Sequence, residues 1–303
     1  MHAFDVVGFG ALNLDELYRV QKLLDDDEGE VVFVGAYPGG SAANTIYALA
    51  RLGLRVGFLG AVGDDDTGRM LLDSFKSVGV DTSGIVIKPK AKTGRTLGFV
   101  DSQGRRTLYI EPGANSLLRK ADVDLSYVAR VRFVHLSSFV GEEQWAIQCE
   151  LVRALSPKAL VSFAPGALLA RRGLRALYPV LRRTHVLFLN RRELGLLAHT
   201  EDLQIGARSL LKAGPQIVAV TLGAEGSYVT DGKRAYRVEA PRVKRVVDTT
   251  GAGDAFAAGF LYGLFEEREL RECAELGARL AKLVVSQMGG RLNAAISRLR
   301  QYP

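Results

Sequence analysis

Short runs of apolar, often β-branched residues alternate along the chain with segments of helical periodicity. This alternation favours strand–helix–strand units around a mostly parallel sheet with helices on both faces. Ser41 is the predicted N-cap of the first helix, and Gly53 suits its C-terminal end. The predicted strands are residues 4–9, 55–60, 131–137, 159–163, 185–189 and 216–221. The predicted helices are residues 41–52, 67–78, 142–155, 203–212 and about 268–288.

Two stretches, residues 14–38 and 93–112, depart from this α/β rhythm. The second contains two strand-like runs around a turn at residues 101–104, so we expect both stretches to form a small β-appendage inserted into one domain of residues 1–303. Near the end of the chain, Asp231-Gly232 separates two further strand-like runs. Such a pair predicts an antiparallel hairpin at the edge of the main sheet.

Composition limits the class of protein. The chain has 303 residues, of which 48% are hydrophobic and 24% charged, enough for one large core. Its formal net charge of +7 is spread over separated arginine pairs, which argues against nucleic acid as a partner. The longest apolar run, residues 255–265, is too short to cross a bilayer. With two cysteines, no CxxC pair, no secretory leader and no metal-ligand spacing among the histidines, we expect a reduced, cytoplasmic protein without a membrane partner.

The strongest motif is Asp-Thr-Thr-Gly-Ala-Gly-Asp at residues 248–254. It follows a strand-like Val246-Val247 pair and precedes an apolar helix over residues 255–265. Its small residues let backbone N–H groups approach an anion, and the helix N-terminus adds partial positive charge. Asp254 stands beside this nest, where its carboxylate could accept a proton from a hydroxyl group. The plainer interpretation is a glycine-rich turn with an aspartate that suits the helix dipole.

Two other phosphate-binding loops are excluded. No G-x-x-x-x-G-K-[ST] string occurs in the chain, which disfavours a P-loop NTPase. Gly8-Phe9-Gly10 begins like a dinucleotide fingerprint, but Asn13 stands at its sixth position, where glycine or alanine is required.

Three further motifs follow predicted strands or open predicted helices. Asn13 and Asp15 suit hydrogen bonds to a ligand with many hydroxyl groups, although such an aspartate is often only a solvated loop residue. Residues 38–44, Pro-Gly-Gly-Ser-Ala-Ala-Asn, let a ligand approach the backbone, or form a plain turn and cap. Asn190-Arg191-Arg192-Glu193 is either a helix capping box or a site for Mg²⁺, and spacing alone favours the cap.

Taken together and in this order, the motifs resemble those of the PfkB/ribokinase family of sugar and nucleoside kinases. The resemblance implies a ribokinase-like α/β fold, with a mostly parallel central sheet flanked by helices and a small β-sheet lid. It also implies a homodimer formed through the lid. Ribokinases proper tend to have lysine at the position of Ser41, which argues against ribose as the substrate.

The resemblance also assigns roles to residues. Asp254 is the expected base, and Gly251, Ala252 and Gly253 are the expected anion hole. Binding of the acceptor substrate is expected from Asn13, Asp15, Gly39, Gly40 and Asn44, and binding of the nucleotide from Asn190, Thr221, Gly223 and Gly226. Metal sites are expected at Glu193 for Mg²⁺, and at Asp248 and Thr250 for a monovalent cation such as K⁺.

We therefore expect a kinase that transfers a nucleotide's terminal phosphoryl group to a hydroxyl of a small-molecule acceptor. ATP is the default donor, and the motifs do not exclude ADP. The acceptor is left open between a sugar, a nucleoside, and a sugar phosphate such as ribose 1-phosphate or fructose 6-phosphate. Arg95, Arg105 and Arg106 could favour an anionic acceptor or simply protect an exposed strand edge. Rival interpretations are a non-catalytic ligand sensor on a kinase fold and a nucleic-acid-binding protein.

Overall fold

The computed structural model describes residues 4–103 and 105–293, and its main feature is a sheet of nine strands. Gly104, which the predicted turn includes, and the chain ends at 1–3 and 294–303 lie outside the described residues. The strands are β1 (Phe4–Phe9), β2 (Asn13–Val20), β3 (Val31–Gly39), β4 (Val56–Gly63), β5 (Ile85–Lys88), β6 (Gly94–Val100), β7 (Arg106–Glu111), β8 (Val131–Ser137), β9 (Leu160–Ala164), β10 (Thr184–Asn190), β11 (Ile217–Thr221), β12 (Ser227–Thr230) and β13 (Ala235–Val238).

The large sheet has the order β13-β12-β11-β10-β9-β8-β1-β4-β5. Its pairs are parallel from β11 to β5, and the β12–β13 hairpin adds two antiparallel strands at one edge. The hairpin was predicted from Asp231-Gly232. The mostly parallel sheet was predicted from the alternating pattern, and both are confirmed.

Helices cover both faces of this sheet. They are α1 (Ser41–Arg51), α2 (Asp66–Lys76), α3 (Glu142–Ala154), α4 (Gly166–Ala170), α5 (Gly173–Leu181), α6 (Arg191–Ala198), α7 (Leu203–Lys212), α8 (Ala252–Phe265) and α9 (Leu270–Val285). Successive strand residues point to opposite faces, so Val6 packs with α1, α2, α8 and α9 while Val7 packs with α3 to α7. The result is two apolar layers, one on each side of the sheet.

A second sheet of four strands, the lid sheet, has the order β3-β2-β6-β7. Its two central strands, β2 and β6, are parallel, and each outer strand is antiparallel to its neighbour. The predicted inserted segments, 14–38 and 93–112, enclose most of these four strands. The separate small sheet was predicted and is present.

Several local predictions were wrong. Val246-Val247 is not a strand, because its N–H groups make no ladder and Val247 instead donates to the carbonyl of Val285 at the end of α9. Gly40, not Ser41, is the N-cap of α1, and Ser41 is the first helical residue. The helix predicted over 255–265 begins earlier, at Ala252, so Asp254 lies in its first turn. The last helix ends at Val285 instead of 288.

Other features were not predicted at all. The short strand β5 and three 3₁₀ helices, Gly113–Leu117, Lys120–Asp122 and Leu125–Val128, fill the connections after α2 and β7. These segments are too short to produce a periodic pattern. Within residues 4–103 and 105–293, no helix is both long and apolar enough to cross a membrane.

Candidate active site

A cavity of about 540 Å³ lies between the large sheet and the lid sheet. On one side it is lined by residues at or just after the carboxyl ends of β8, β9, β10 and β11, where open α/β sheets bind ligands. On the other side it is lined by the lid strands. Of the predicted site residues, the following line the cavity: Asn13, Asp15, Gly40, Asn44, Asn190, Glu193, Thr221, Gly223, Thr250, Gly251, Gly253 and Asp254.

The Asp254 carboxylate is held in place from α1. Its Oδ1 accepts a hydrogen bond from the Ser41 hydroxyl at 2.7 Å, and its Oδ2 accepts one from Asn44 Nδ2 at 2.9 Å. Burial raises the pKa of Asp254 to about 6, although both hydrogen bonds and the charge of Arg106 lower it. The carboxylate is therefore oriented by two donors and is ionised at neutral pH.

The 248–254 loop enters α8 through a left-handed glycine. Gly251 is the N-cap, with a φ of 76°, and a Cβ there would overlap the carbonyl of Gly290. Asp248 fixes the loop by accepting from the N–H of Thr250 at 2.9 Å and from the N–H of Gly289 at 3.0 Å. The open space beside Gly253, where a Cβ would have no neighbour within 4 Å, faces the cavity. The first turn of a helix leaves backbone N–H groups without intrahelical partners, which suits an anion, although the N–H of Ala252 also donates to the carbonyl of Thr249 at 3.3 Å.

The lid strand β2 brings Asn13 and Asp15 to the same cavity. Asn13 Oδ1 accepts from Asn115 Nδ2 at 2.9 Å, which fixes the orientation of its amide. Burial, with the negative charge of Asp254 adding to it, raises the pKa of Asp15 to about 7, against the lowering effect of a hydrogen bond with Thr96. The two carboxylates thus influence each other across the cavity.

Gly39 and Gly40 shape this end of the site in different ways. A side chain at Gly39 would overlap the Asp15 carboxylate, so Gly39 makes room for Asp15 although it does not itself line the cavity. Gly40 has a φ of 98°, and a Cβ there would overlap the carbonyl of Ala11. The backbone therefore requires glycine at position 40, whereas at position 39 glycine leaves room for the side chain of Asp15.

Asn190 and Glu193 form the capping box that the plainer interpretation predicted. Asn190 Oδ1 accepts from the N–H of Glu193 at 2.9 Å, and Glu193 Oε2 accepts from the N–H of Asn190 at 3.0 Å. Glu193 also lines the cavity, and burial raises its pKa, with the charge of Asp254 adding to the effect. Capping and a role in the cavity are compatible here.

Three other predicted residues lie near the site without lining the cavity. Ala252 is the first residue of α8, Asp248 accepts a hydrogen bond from the N–H of Gly289, and Gly226, with a φ of 93°, ends the turn before β12. Thr221 and Gly223, by contrast, line the cavity after β11.

Sequence reasoning missed two residues that position others. Ser41 was predicted as a cap but holds Asp254. Asn115 is 3% exposed; its side chain accepts from the N–H of Leu12 at 3.0 Å and donates to the carbonyl of Leu12 at 3.0 Å. The scarcity of asparagine, which occurs at only five positions, was the signal that could have drawn attention to Asn115.

The residues present fit a hydrated divalent cation. Among residues 4–103 and 105–293, no group of three or more His, Cys, Asp or Glu side chains could hold a metal. However, Asp15, Glu193 and Asp254 all line the cavity, and Glu193 and Asp254 repel each other. A cation bound by one carboxylate, water and phosphate oxygens would relieve that repulsion, and this ligand set is usual for Mg²⁺.

Comparison with known proteins identifies the family. The sequence pattern of the pfkB family carbohydrate kinases matches residues 3–296. An uncharacterized sugar kinase from Archaeoglobus fulgidus is 36% identical over 243 residues, which are 80% of this chain and 96% of the relative. An ATP-dependent ribose-1-phosphate kinase from Halopiger xanaduensis is 32% identical over 287 residues, with 94% and 93% covered. The crystal structure of adenosine kinase from Sinorhizobium meliloti matches with a TM-score of 0.87 and 27% identity over 98% of both chains.

The chain therefore belongs to the PfkB family of carbohydrate kinases, as the order of its motifs predicted. It has the ribokinase-like fold and is a phosphotransferase whose acceptor is a hydroxyl group.

Proposed function

We propose that this protein transfers the terminal phosphoryl group of ATP to a hydroxyl of a sugar or nucleoside, with Asp254 as the general base. One observation carries the proposal: the Asp254 carboxylate, oriented by Ser41 and Asn44, lines the cavity beside the helix start at Gly251. The proposal thus brings a proton acceptor and an anion-binding nest to the same place.

The chemistry assigned to the loop follows from its charge distribution. During in-line transfer, negative charge spreads over the oxygens of the moving phosphoryl group. The backbone N–H groups of Gly251, Ala252 and Gly253 and the dipole of α8 would stabilise that charge. With a pKa of about 6, Asp254 is ionised at pH 7 and can take the proton of the attacking hydroxyl.

Acceptor and nucleotide are assigned to opposite ends of the cavity. Asn13, Asp15 and Asn44, with the backbone at Gly39 and Gly40, would bind hydroxyl groups of the acceptor. At the other end, Asn190, Thr221, Gly223 and Gly226 would surround the nucleotide. Two observations support this division: Asn13 and Asp15 come from the lid, and Asn190 and Thr221 are the last residues of β10 and β11.

Two cations complete the proposal. Glu193 would hold Mg²⁺ through one carboxylate oxygen or through water, and the bound ion would neutralise charge on the phosphate oxygens. The Asp248 carboxylate and the backbone of Thr250 would hold K⁺. Among the residues that the structure describes, Asp248 makes hydrogen bonds to backbone N–H groups but no ion pair, which leaves its charge available to a cation.

The lining of the cavity favours a nucleoside over a free sugar. Four large apolar side chains line it while remaining substantially exposed, namely Leu108 (45%), Ile110 (38%), Val140 (45%) and Leu168 (36%). A free sugar carries a hydroxyl on nearly every carbon and would leave this surface without an apolar partner, whereas a base attached to a ribose would cover it. A sugar phosphate is the second candidate, because Arg106 also lines the cavity.

A coupled nucleotide-consumption screen tests the proposal. Sugars, nucleosides and sugar phosphates are each offered with ATP and with ADP, in the presence of Mg²⁺ and with either K⁺ or Na⁺. We expect turnover with ATP and at least one nucleoside, and faster turnover in K⁺. Absence of turnover with every pair, while thermal shifts still report ligand binding, would instead identify a ligand sensor on a kinase fold.

We also propose that the protein is a homodimer that pairs through the lid sheet. On β3, Val31, Val32 and Phe33 are 51%, 61% and 58% exposed, an apolar row on the outer strand of a sheet. A second copy is the partner that such an edge suits, because burying it removes unpaired strand groups from solvent. Sedimentation velocity should give a dimer for the wild type and a monomer for Phe33→Asp; a wild-type monomer at assay concentration would contradict the proposal.

A further inference from the structure

Arg291 carries a buried positive charge that has no carboxylate of its own. The residue is 3% exposed and forms no ion pair within residues 4–103 and 105–293. Its Nη1 donates to Ser74 Oγ at 2.5 Å, whereas Nε and Nη2 have no hydrogen-bond partner in this part of the chain. Because a buried charge without an opposite partner costs free energy, its presence here calls for an explanation.

Two aromatic rings hold the guanidinium in place. Its central carbon lies 5.0 Å from the centre of the Tyr47 ring and 4.8 Å from that of the Phe75 ring. Tyr47 belongs to α1, and Phe75 belongs to α2. Burial lowers the pKa of Arg291 to about 10, against the opposing effects of Tyr47 and Asp15. Arg291 is therefore a fixed positive charge at neutral pH.

This charge lies close to the acceptor side of the cavity. Gly289, two residues before Arg291, has its backbone against the ring of Tyr37, since a Cβ there would lie 2.9 Å from Tyr37 Cγ. Tyr37 is directly opposite Asp15 in the register of β2 and β3, so their side chains share one face of the lid sheet. Arg291 itself is not among the cavity-lining residues of the described chain. It can therefore act on a ligand only through other residues.

Three charged groups reach Asp15 from different elements. The charge of Asp254, on α8, raises the pKa of Asp15, and the charges of Arg106, on β7, and of Arg291 lower it. Thr96, on β6, adds a hydrogen bond. Of the two cations, Arg106 is exposed to solvent and Arg291 is buried. Solvent screens an exposed charge more strongly than a buried one, so we expect Arg291 to be the more constant influence.

We propose that Arg291 is a positioning residue that keeps the Asp15 carboxylate ionised, ready to bind a hydroxyl of the acceptor. This inference rests on the proposed function, in which Asp15 binds the acceptor. An ionised carboxylate accepts hydrogen bonds at both oxygens, and such bonds are stronger than those to a neutral carboxyl group. The buried charge thus serves acceptor binding, which explains why it is present in an apolar layer.

The test compares two neutral variants, Arg291→Met and Arg291→Gln, with Arg291→Lys and with the matched control Arg132→Met. Arg132 also stacks its guanidinium on a ring, 4.6 Å from the centre of Phe265, but does not line the cavity. Arg291→Met keeps an apolar chain between the two rings, and Arg291→Gln keeps a donor for Ser74. For each variant, kcat and the KM of the best acceptor from the screen are measured at pH 7 and pH 9, together with the melting temperature.

Both neutral variants should raise the acceptor KM about five-fold at pH 7 and leave it within about two-fold of the wild type at pH 9. Removing a nearby positive charge raises the pKa of Asp15, so a smaller fraction is ionised at pH 7 but most of it is at pH 9. We expect little change in kcat, since Asp254 remains the base. The melting temperature of Arg291→Met should not fall, because the variant removes a buried charge.

The two remaining single variants are controls for charge and for stacking. Arg291→Lys keeps the charge and should lie nearer the wild type at pH 7, whereas Arg132→Met should match the wild type at both pH values. A second readout uses Asp15→Asn, because an amide has no charge to lose. In that background, Arg291→Met should change the dissociation constant of the acceptor, measured by calorimetry, by less than about 1.5-fold.

Three results would overturn the inference and leave the kinase assignment intact. The first is an unchanged acceptor KM at pH 7 in the neutral variants. The second is a KM raised equally at pH 7 and pH 9 with a lower melting temperature, or a failure of both neutral variants to fold; either would show that Arg291 only supports packing. The third is an effect of Arg291→Met that is the same with and without Asp15→Asn. If the wild type phosphorylates no acceptor at all, the proposed function itself fails.

Discussion

The two sheets of the molecule differ in how much of their surface is buried. In the large sheet, every residue of β4 is buried and all but the last residue of β11 are, because helices cover both faces. In the lid sheet, most residues of β3 and β7 are exposed, and only one face has a partner, across a cavity. Packing on both faces therefore holds the large sheet in place, whereas the lid sheet is packed less closely.

This difference suggests a division of labour within the site. In the proposed mechanism Asp254 and the 248–254 loop keep their geometry, and hydrogen bonds with α1 and with the turn after α9 hold them in place. Asn13 and Asp15, which the proposal assigns to acceptor binding, come from the lid strands, as does Arg106. Variants on the two sides should therefore fail in different ways.

The largest effect is expected on the side of the large sheet, from Asp254→Asn. Removing the base should lower kcat by about three orders of magnitude, whereas nucleotide binding and the melting temperature should change little, since the amide has nearly the same shape. Steady-state kinetics and thermal shifts with ADP measure both quantities. Turnover within ten-fold of the wild type would remove Asp254 from the mechanism. It would also remove the expected difference between variants on the large sheet and variants on the lid.

The next effect distinguishes two glycines of the same loop. Gly251→Ala should lower both stability, by about 2 kcal/mol, and activity, because its positive φ and its contact with the Gly290 carbonyl both exclude a side chain. Gly253→Ala should leave stability intact, since a Cβ there meets nothing within 4 Å. A drop in activity of Gly253→Ala without a drop in stability would show that a ligand approaches that backbone closely; equal stability losses in both variants would contradict the geometry.

A smaller and different effect is expected where the lid joins the large sheet, at Asn115→Ala. This change leaves the buried N–H and carbonyl of Leu12 without their partner and frees the Asn13 amide. We expect a loss of about 3 kcal/mol in the free energy of unfolding and a KM for the acceptor raised about ten-fold, with kcat less affected. Ser116→Ala, on the same turn, is the control. A selective fall in kcat would mean that Asn115 affects phosphoryl transfer instead of acceptor binding.

The smallest effect is a pH dependence in which activity rises with pH while the contribution of two carboxyl groups to stability falls. Because the pKa of Asp254 is about 6, kcat/KM should fall as pH drops below that value. The pKa of Asp254 and that of Asp15 are both raised from 3.8 on folding, so these groups bind more protons in the folded state and favour folding less as pH rises from about 4 to about 7. Rate profiles check the first sign. The difference in the free energy of unfolding between the wild type and Asp254→Asn, measured at pH 5 and 8, checks the second, because the lowered pKa of the buried His135 contributes to the total slope with the opposite sign.

Sequence reasoning was successful where a local pattern has a single physical meaning. The strands β1 and β8 and the helix α7 were predicted with their observed bounds, because their apolar periodicity is strong. It failed at Ser41, where a hydroxyl at a helix start suited a cap but serves a carboxylate 213 residues away. It failed also at Val246-Val247, a strand-like pair that finds no neighbouring strand. In both cases a tertiary contact overrode the local preference.

By itself, the sequence determined the α/β layering, the presence of a second, small sheet and the family, because periodicity and motif order can be read without coordinates. Only the tertiary structure decided that Ser41 and Asn44 hold Asp254, that Asn115 fastens Asn13, and that Arg106 crosses from the lid to Thr250. Each of these contacts joins residues far apart in the chain. Their partners are selected by the packing of two sheets around one cavity, which no short stretch of sequence encodes.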